Sequence, residues 1–287
     1  ALVIALPEIL LVFGQGYYER RRVGMETWQV RRLLENRIGF SRMGEPVYAD
    51  YNPDLHDLDN DVRANPRLDV VIGVDGGGTA AAVIGQQQDY DAIVTLDEIV
   101  TPADQRTDGY NFGKRVGEFM QTKGYGAHLD AGRFIVIGDP ANFKGGFESG
   151  NTFMEAFAAG FEEATGVKCR MLPAETNDPE TRQGAVRRPM REIRDGKPRK
   201  QVARRCATLR RGYISGYKLR RSKNAAGDIV YQPVKNHYSH VADADQYMSL
   251  YFVGVGGDFK RASRMSGLGS RKNGPRSKPK IIHHTAF

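Results

Sequence analysis

The chain has 287 residues, of which 40% are hydrophobic and 26% charged, with 42 Lys and Arg against 34 Asp and Glu. That length permits one large or two ordinary domains, each with a real core, and the composition excludes a collagenous, mucin-like or wholly disordered chain. Two cysteines, Cys169 and Cys206, can build neither a disulfide framework nor a four-cysteine zinc site, which points to a reducing compartment.

The positive charge is unevenly placed. Residues 187–223 hold fifteen Lys/Arg against two Asp/Glu, and residues 255–287 hold eight against one, so the remainder is acidic. An acidic body with two basic segments suits a polyanionic partner reached through particular surfaces.

In chain order, Ala1–Phe13 is the only long apolar run. It is too short to span a bilayer, and neither a basic n-region nor a small-residue cleavage site marks it as a signal peptide. A chain beginning Ala-Leu-Val is expected to be a fragment, with residues 1–44 a remnant or linker from an upstream domain. Glu26–Asn36 reads as a helix and Gly44–Pro66 as a loop of turn residues. Leu68–Val74, Ala80–Gly85 and Ala92–Ile99 are short, apolar, β-branched runs separated by Gly or Asp turns. Strands so closely spaced should form an antiparallel meander, because a parallel crossover needs a dozen or more residues. A helix over Asn111–Thr122, a strand over Arg133–Gly138 and a helix over Glu148–Thr165 follow. A strand at Lys168–Leu172 and a helix at Asp178–Ile193 complete a strand–helix rhythm that implies parallel neighbours. The stretch Arg187–Arg221 interleaves cations with Gly212, Tyr213, Gly216 and Tyr217, as a backbone-tracking loop or hairpin would. Residues 255–287 read as a basic flexible tail.

The chemistry concentrates at three acidic positions. Asp75 closes the apolar strand VVIGVD before Gly76-Gly77-Gly78-Thr79, and Asp139 closes FIVIGD before Pro140. On neighbouring strands, about 4.8 Å apart, two such carboxylates could share a cation. Asp243 lies in KNHYSHVADADQYMSLYF, which has helical spacing at Tyr247, Leu250 and Tyr251 and a candidate N-cap in Ser239; His240 would share its face. Converging carboxylates repel unless a cation relieves them, and all-oxygen ligation suits one or two Mg²⁺ or Mn²⁺ ions acting on a phosphodiester.

Four stretches, VYADYNPDLH, VIGVDGGGTAAAVIGQ, VIGDPANF and KNHYSHVADADQYM, occur in an order that resembles the nuclease domain of the large terminase subunits of tailed bacteriophages. TNDPETRQGAVRRPM is similar to the segment leading into that family's late helix. The resemblance implies an RNase H-like mixed sheet over residues 45–254, an antiparallel three-strand meander plus parallel strands flanked by helices. It also implies endonucleolytic cutting of concatemeric double-stranded DNA, with Asp75, Asp139 and Asp243 as the acidic metal ligands. The implied partners are DNA, the portal protein, the small terminase subunit and an ATPase domain, and the implied location is the host cell cytoplasm. Arg187, Arg188, Arg210, Arg211, Lys218, Arg220, Arg221 and Lys235 are the expected DNA contacts, and Glu98, His240 and Asp245 the candidates for outer contacts to the metal ligands. Asp97 and Glu98 otherwise read as an exposed edge-strand pair, and Asp245, which stands where the family usually has an apolar residue, as a solvent or basic-loop contact.

No G-x-x-x-x-G-K-[ST] phosphate loop occurs in these residues, so ATP-driven translocation is not assigned to them. IGVDGGGT also resembles the first phosphate loop of the sugar kinase, heat-shock and actin family, which makes an ATPase of that kind the alternative. Its other signatures are missing.

Overall fold

The computed structural model describes residues 44–145, 151–223 and 227–255. The expected helix at Glu26–Asn36 and the basic tail, apart from its first residue, lie outside them.

The short helix α1 (Pro53–His56) and β1 (Asp57–Leu58) lead into β2 (Val70–Asp75), β3 (Ala81–Gln87) and β4 (Ile93–Val100). The helices α2 (Gly109–Thr122) and α3 (Gly126–Asp130) precede β5 (Phe134–Gly138), and α4 (Phe153–Thr165) precedes β6 (Met171–Pro173). After α5 (Pro179–Arg191) come β7 (Ile193–Arg194), β8 (Lys197–Pro198), β9 (Lys200–Ala203) and α6 (Ala207–Arg211). The ribbon β10 (Leu219–Lys223) and β11 (Ile229–Pro233) ends in the long α7 (His237–Val253).

One seven-stranded sheet has the order β1-β9-β4-β3-β2-β5-β6. β2, β3 and β4 form the expected antiparallel meander, and β5 and β6 add parallel to β2 through helical crossovers. This meander followed by parallel strands is the RNase H-like arrangement. β2 and β3 are buried along their whole length, which is why their sequences are continuous apolar runs rather than alternating ones.

Each face of the sheet has its own core. Val70, Ile72 and Val74 pack with Phe112, Met154, Phe157 and Phe161 of α2 and α4. Val71, Ile135 and Ile137 pack on the other side with Val186 of α5 and Ala244, Tyr247 and Met248 of α7. α2 and α4 approach closely because glycines face backbone: a Cβ on Gly113 would lie 2.0 Å from the Phe157 carbonyl oxygen. α4 begins with a Thr152–Glu155 capping box and ends at Gly166 in the left-handed region, so its limits are set by local chemistry.

Three expectations change. The Gly44–Pro66 stretch is not only loop, because it contributes α1 and β1, and Val47, Tyr48 and Tyr51 are buried. The basic stretch 187–223 is not only a loop or hairpin, since β9 runs through it and joins the sheet parallel to β4 and β1. Asp97 and Glu98 therefore do not lie on an exposed edge. Asp97 is buried against Arg205 and Tyr125, and Glu98 is half-buried, accepting from the backbone N–H groups of Thr208 and Leu209 at the start of α6.

Candidate active site

β2 and β5 run parallel in a register that pairs Val74 with Gly138. Asp75 and Asp139 therefore follow side by side at the carboxyl ends of adjacent strands, where a sheet of this kind opens its binding crevice. Beyond Asp75 the chain must reverse into β3, and Gly77 takes φ +126 to do so. Beyond Asp139, Pro140 starts a single 3-10 turn that Asp139 itself caps.

The third carboxylate comes from α7. Residues 73 and 75 of β2 share a face, and Gly73 lets α7 settle onto it, because a Cβ there would meet the Ala244 carbonyl oxygen at 2.1 Å. That contact brings His240 and Asp243 over the strand end. The α7 N-cap is Asn236, which accepts from Tyr238 and Ser239, so the expected cap Ser239 serves instead as its capping-box partner.

Each carboxylate is held by protein groups. His240 Nδ1 lies 2.9 Å from Asp75 Oδ2, and its Nε2 lies 2.8 Å from Thr79 Oγ1. With Asp75 ionised, Nδ1 donates and Nε2 of the neutral ring accepts from the Thr79 hydroxyl. Asp139 Oδ1 accepts from Ala141 N at 2.8 Å and from Asn177 Nδ2 at 3.0 Å, and Tyr247 donates to Asn177 Oδ1 at 3.1 Å. Asp243, almost fully buried, accepts from Lys235, has Arg182 Nη1 3.7 Å from Oδ1, and has the Tyr217 hydroxyl at 3.4 Å. Arg182 is itself buried, its guanidinium carbon 4.8 Å from the Tyr247 ring centre. Burial, with the Asp243 charge added, holds the Asp75 carboxyl above the usual carboxylate range against the opposing pull of His240 and Lys235.

These carboxylates suit a hard divalent cation by donor chemistry, since all three offer oxygen. As placed, no group of three His, Cys, Asp or Glu side chains forms a ready coordination cluster among the described residues. A metal ion would have to displace the hydrogen-bonding partners, Lys235 above all.

The remaining sequence-named residues divide. Arg188, Arg211, Lys218, Arg220, Arg221 and Lys235 are exposed. Arg210 is paired with Asp57, and Arg187 with Gln183 and Glu180, so these two are engaged within the fold. Glu98 accepts from the backbone at the start of α6, whereas His240 touches Asp75. Asp245 is not in solvent: it is fully buried against Lys200, which does come from the basic segment. Thr79, Asn177, Arg182 and Tyr217 are not legible as site residues in the sequence. Arg182 lies inside the TNDPETRQGAVRRPM stretch, and its carboxylate partner is 61 positions away along the chain.

No protein-family model and no curated relative matches the chain. Among solved structures, the large terminase of a thermophilic bacteriophage in complex with ADP superposes with a TM-score of 0.54 at 17% identity, over 85% of this chain and 53% of that one. The same terminase with ATP-gamma-S gives 0.53 at 18% identity, over 84% and 53%. The nuclease domain of the P22 large terminase gives 0.49 at 16% identity, over 78% of this chain and 98% of that one. The chain thus shares its fold with the thermophilic phage's terminase and spans about half of that protein's length.

Proposed function

We propose that this chain is the nuclease part of a bacteriophage large terminase subunit, a metal-dependent endonuclease that cuts concatemeric double-stranded DNA. The observation that carries this reading is the placement of Asp75 and Asp139 at adjacent parallel strand ends of an RNase H-like sheet, with Asp243 brought close to Asp75 by α7. One or two Mg²⁺ or Mn²⁺ ions, held by Asp75, Asp139 and Asp243, would supply activation of a water and stabilisation of the leaving oxygen at a phosphodiester. His240 holds the Asp75 carboxylate, Asn177 the Asp139 carboxylate, and Arg182 and Tyr217 the Asp243 carboxylate, so each acid is oriented before substrate arrives. Arg188, Arg211, Lys218, Arg220, Arg221 and Lys235 hold the DNA backbone, with weak sequence preference, since phosphate contacts position without specifying. In this reading the portal protein, the small terminase subunit and an ATPase domain are partners, and the work is done in the host cytoplasm. No helix among the described residues is long and apolar enough to cross a membrane.

The kinase-like alternative is the weaker one. Thr79 of the glycine loop is bonded to His240, and Arg106 lies where a Cβ on Gly78 would meet it at 2.6 Å, so protein groups already occupy the surroundings of this loop.

The test is plasmid cleavage in Mn²⁺, Mg²⁺ or EDTA, with DNA binding and ATP turnover measured in parallel. Cleavage should require metal and be lost in Asp75→Asn, Asp139→Asn and Asp243→Asn, each of which should still bind DNA. Cleavage that survives all three substitutions, or sugar-stimulated ATP turnover without cleavage, overturns the reading.

A further inference from the structure

Arg221 and Lys223 of β10 stand directly opposite Tyr231 and Ile229 of β11. Opposed and alternate residues of an antiparallel pair share one face, so this face interleaves two cations with two large apolar side chains. All four are exposed, Ile229 at 49% and Tyr231 at 37%. The ribbon pairs with no other strand of the described sheets. Its root is fixed: Val234 N donates to the Lys218 carbonyl at 2.8 Å, Leu219 N to that of Glu45 at 2.8 Å, and Asn236 Nδ2 to that of Gly216 at 2.9 Å. Both feet reach Asp243, through Tyr217 before β10 and Lys235 after β11. The root of the ribbon therefore lies beside Asp243.

Scattered exposed apolar residues need no explanation. An apolar pair set between cations on a separate two-stranded ribbon, rooted beside a candidate cleavage site, matches the way architectural proteins insert apolar wedges at a base step while cations take the flanking phosphates. We propose that Ile229 and Tyr231 act as such a wedge, entering an unstacked step of duplex DNA with Arg221 and Lys223 on the neighbouring phosphates. The consequence is a preference for deformable or locally unpaired duplex, independent of base sequence. This rests on the DNA reading above and adds what kind of duplex the site accepts.

The test is DNA binding by the 287-residue chain in EDTA, which separates it from cleavage. Two short duplexes are compared, fully paired and with a central mismatch flanked by 2-aminopurine. The wild type should bind the mismatched duplex about tenfold more tightly, the worth of roughly one stacking contact, and should raise 2-aminopurine fluorescence. Ile229→Thr with Tyr231→Thr keeps residues suited to strands and should abolish both effects without changing the salt dependence. Arg221→Gln with Lys223→Gln should lower the salt slope by about two while keeping the mismatch preference. Equal binding of the two duplexes by the wild type, or a preference surviving in the Thr variant, overturns the wedge. So does a Thr variant with unchanged DNA behaviour that has lost only a protein contact. A wild type that shows the preference but does not cut plasmid in Mn²⁺ leaves the wedge standing and removes the nuclease reading.

Discussion

Gly73 and Ala244 lie in backbone contact, such that a Cβ on Gly73 would sit 2.1 Å from the Ala244 carbonyl oxygen and 2.9 Å from the Met248 Cβ. This one approach decides how near α7 comes to β2, and thereby whether Asp243 reaches Asp75. A methyl group at this position has rigid backbone in front of it, so α7 must shift. Gly73→Ala should cost about 1–3 kcal/mol, as overpacked cores do, and should reduce cleavage more than its loss of stability explains. Gly184→Ala is the control, since nothing lies within 4 Å of that Cβ in α5; it should be neutral or stabilising by up to about 1 kcal/mol. Denaturant unfolding and plasmid cleavage measured on both variants check the contrast. Full activity in Gly73→Ala would show that the helix–strand contact does not set the site.

Lys235 places an ammonium on Asp243 while its side chain stays 70% exposed. A metal ion at that carboxylate would compete with it. Removing the competitor should ease metal entry, but only modestly, because the ammonium end of the pair stays in solvent, which holds such an attraction to about 1 kcal/mol. Lys235→Met should lower the Mn²⁺ concentration for half-maximal cleavage about two- to fivefold, with weaker DNA binding alongside. A metal titration of cleavage at saturating DNA reads this directly, and an unchanged or higher midpoint counts against competition at Asp243.

The sheet and its acids are legible because the signals are local. The meander is written in three apolar runs, and Asp75 and Asp139 each close a run before a Gly or Pro. What stays hidden depends on contacts between distant positions. β9 is obscured by its surroundings: Lys200 sits among fifteen cations, yet it is fully buried, and its charge disguises a core strand as part of a solvated segment. Asp245 is misread for the same reason, since its partners Lys200, Thr95 and Tyr213 lie on β9, on β4 and just after α6. The pairing of Arg210 with Asp57 is equally invisible, because a run of Arg looks the same whether it meets DNA or a buried carboxylate.

The Lys200–Asp245 pair has a measurable consequence of its own. Lys200 Nζ donates to Asp245 Oδ1 at 2.8 Å, to Thr95 Oγ1 at 2.9 Å and to Ser249 Oγ at 3.1 Å, with neither charged side chain exposed. Burial pulls the ammonium below the usual lysine range, against the attraction of Asp245. Lys200→Met leaves Asp245 buried without its cation and should cost about 3–5 kcal/mol. Adding Asp245→Leu removes the orphaned charge, so the double variant should recover most of that loss in urea unfolding. A double variant as unstable as the single one would mean that the surrounding hydroxyls, rather than the pair, carry the stability.

At Asp75 the proposed function opposes stability. Its carboxyl is held above the ordinary value of 3.8, chiefly by burial, so the fold penalises the ionised form that a metal ion requires. Below pH 3.8 both the folded and the unfolded carboxyl are protonated and no penalty exists. As pH rises from there to the raised folded value, the unfolded chain releases its proton first, and the group's contribution to stability falls. The full penalty is reached once pH passes the raised folded value. Asp75→Asn should therefore melt at or above the wild-type temperature at pH 7 without metal, with the gap closing as pH drops towards 4. Added Mn²⁺ should raise the wild-type melting temperature and leave the variant unmoved, because only binding to the folded state stabilises it. A variant that is less stable than the wild type at neutral pH and gains equally from Mn²⁺ would show that Asp75 is a structural partner of His240 rather than a carboxylate held ready for a cation.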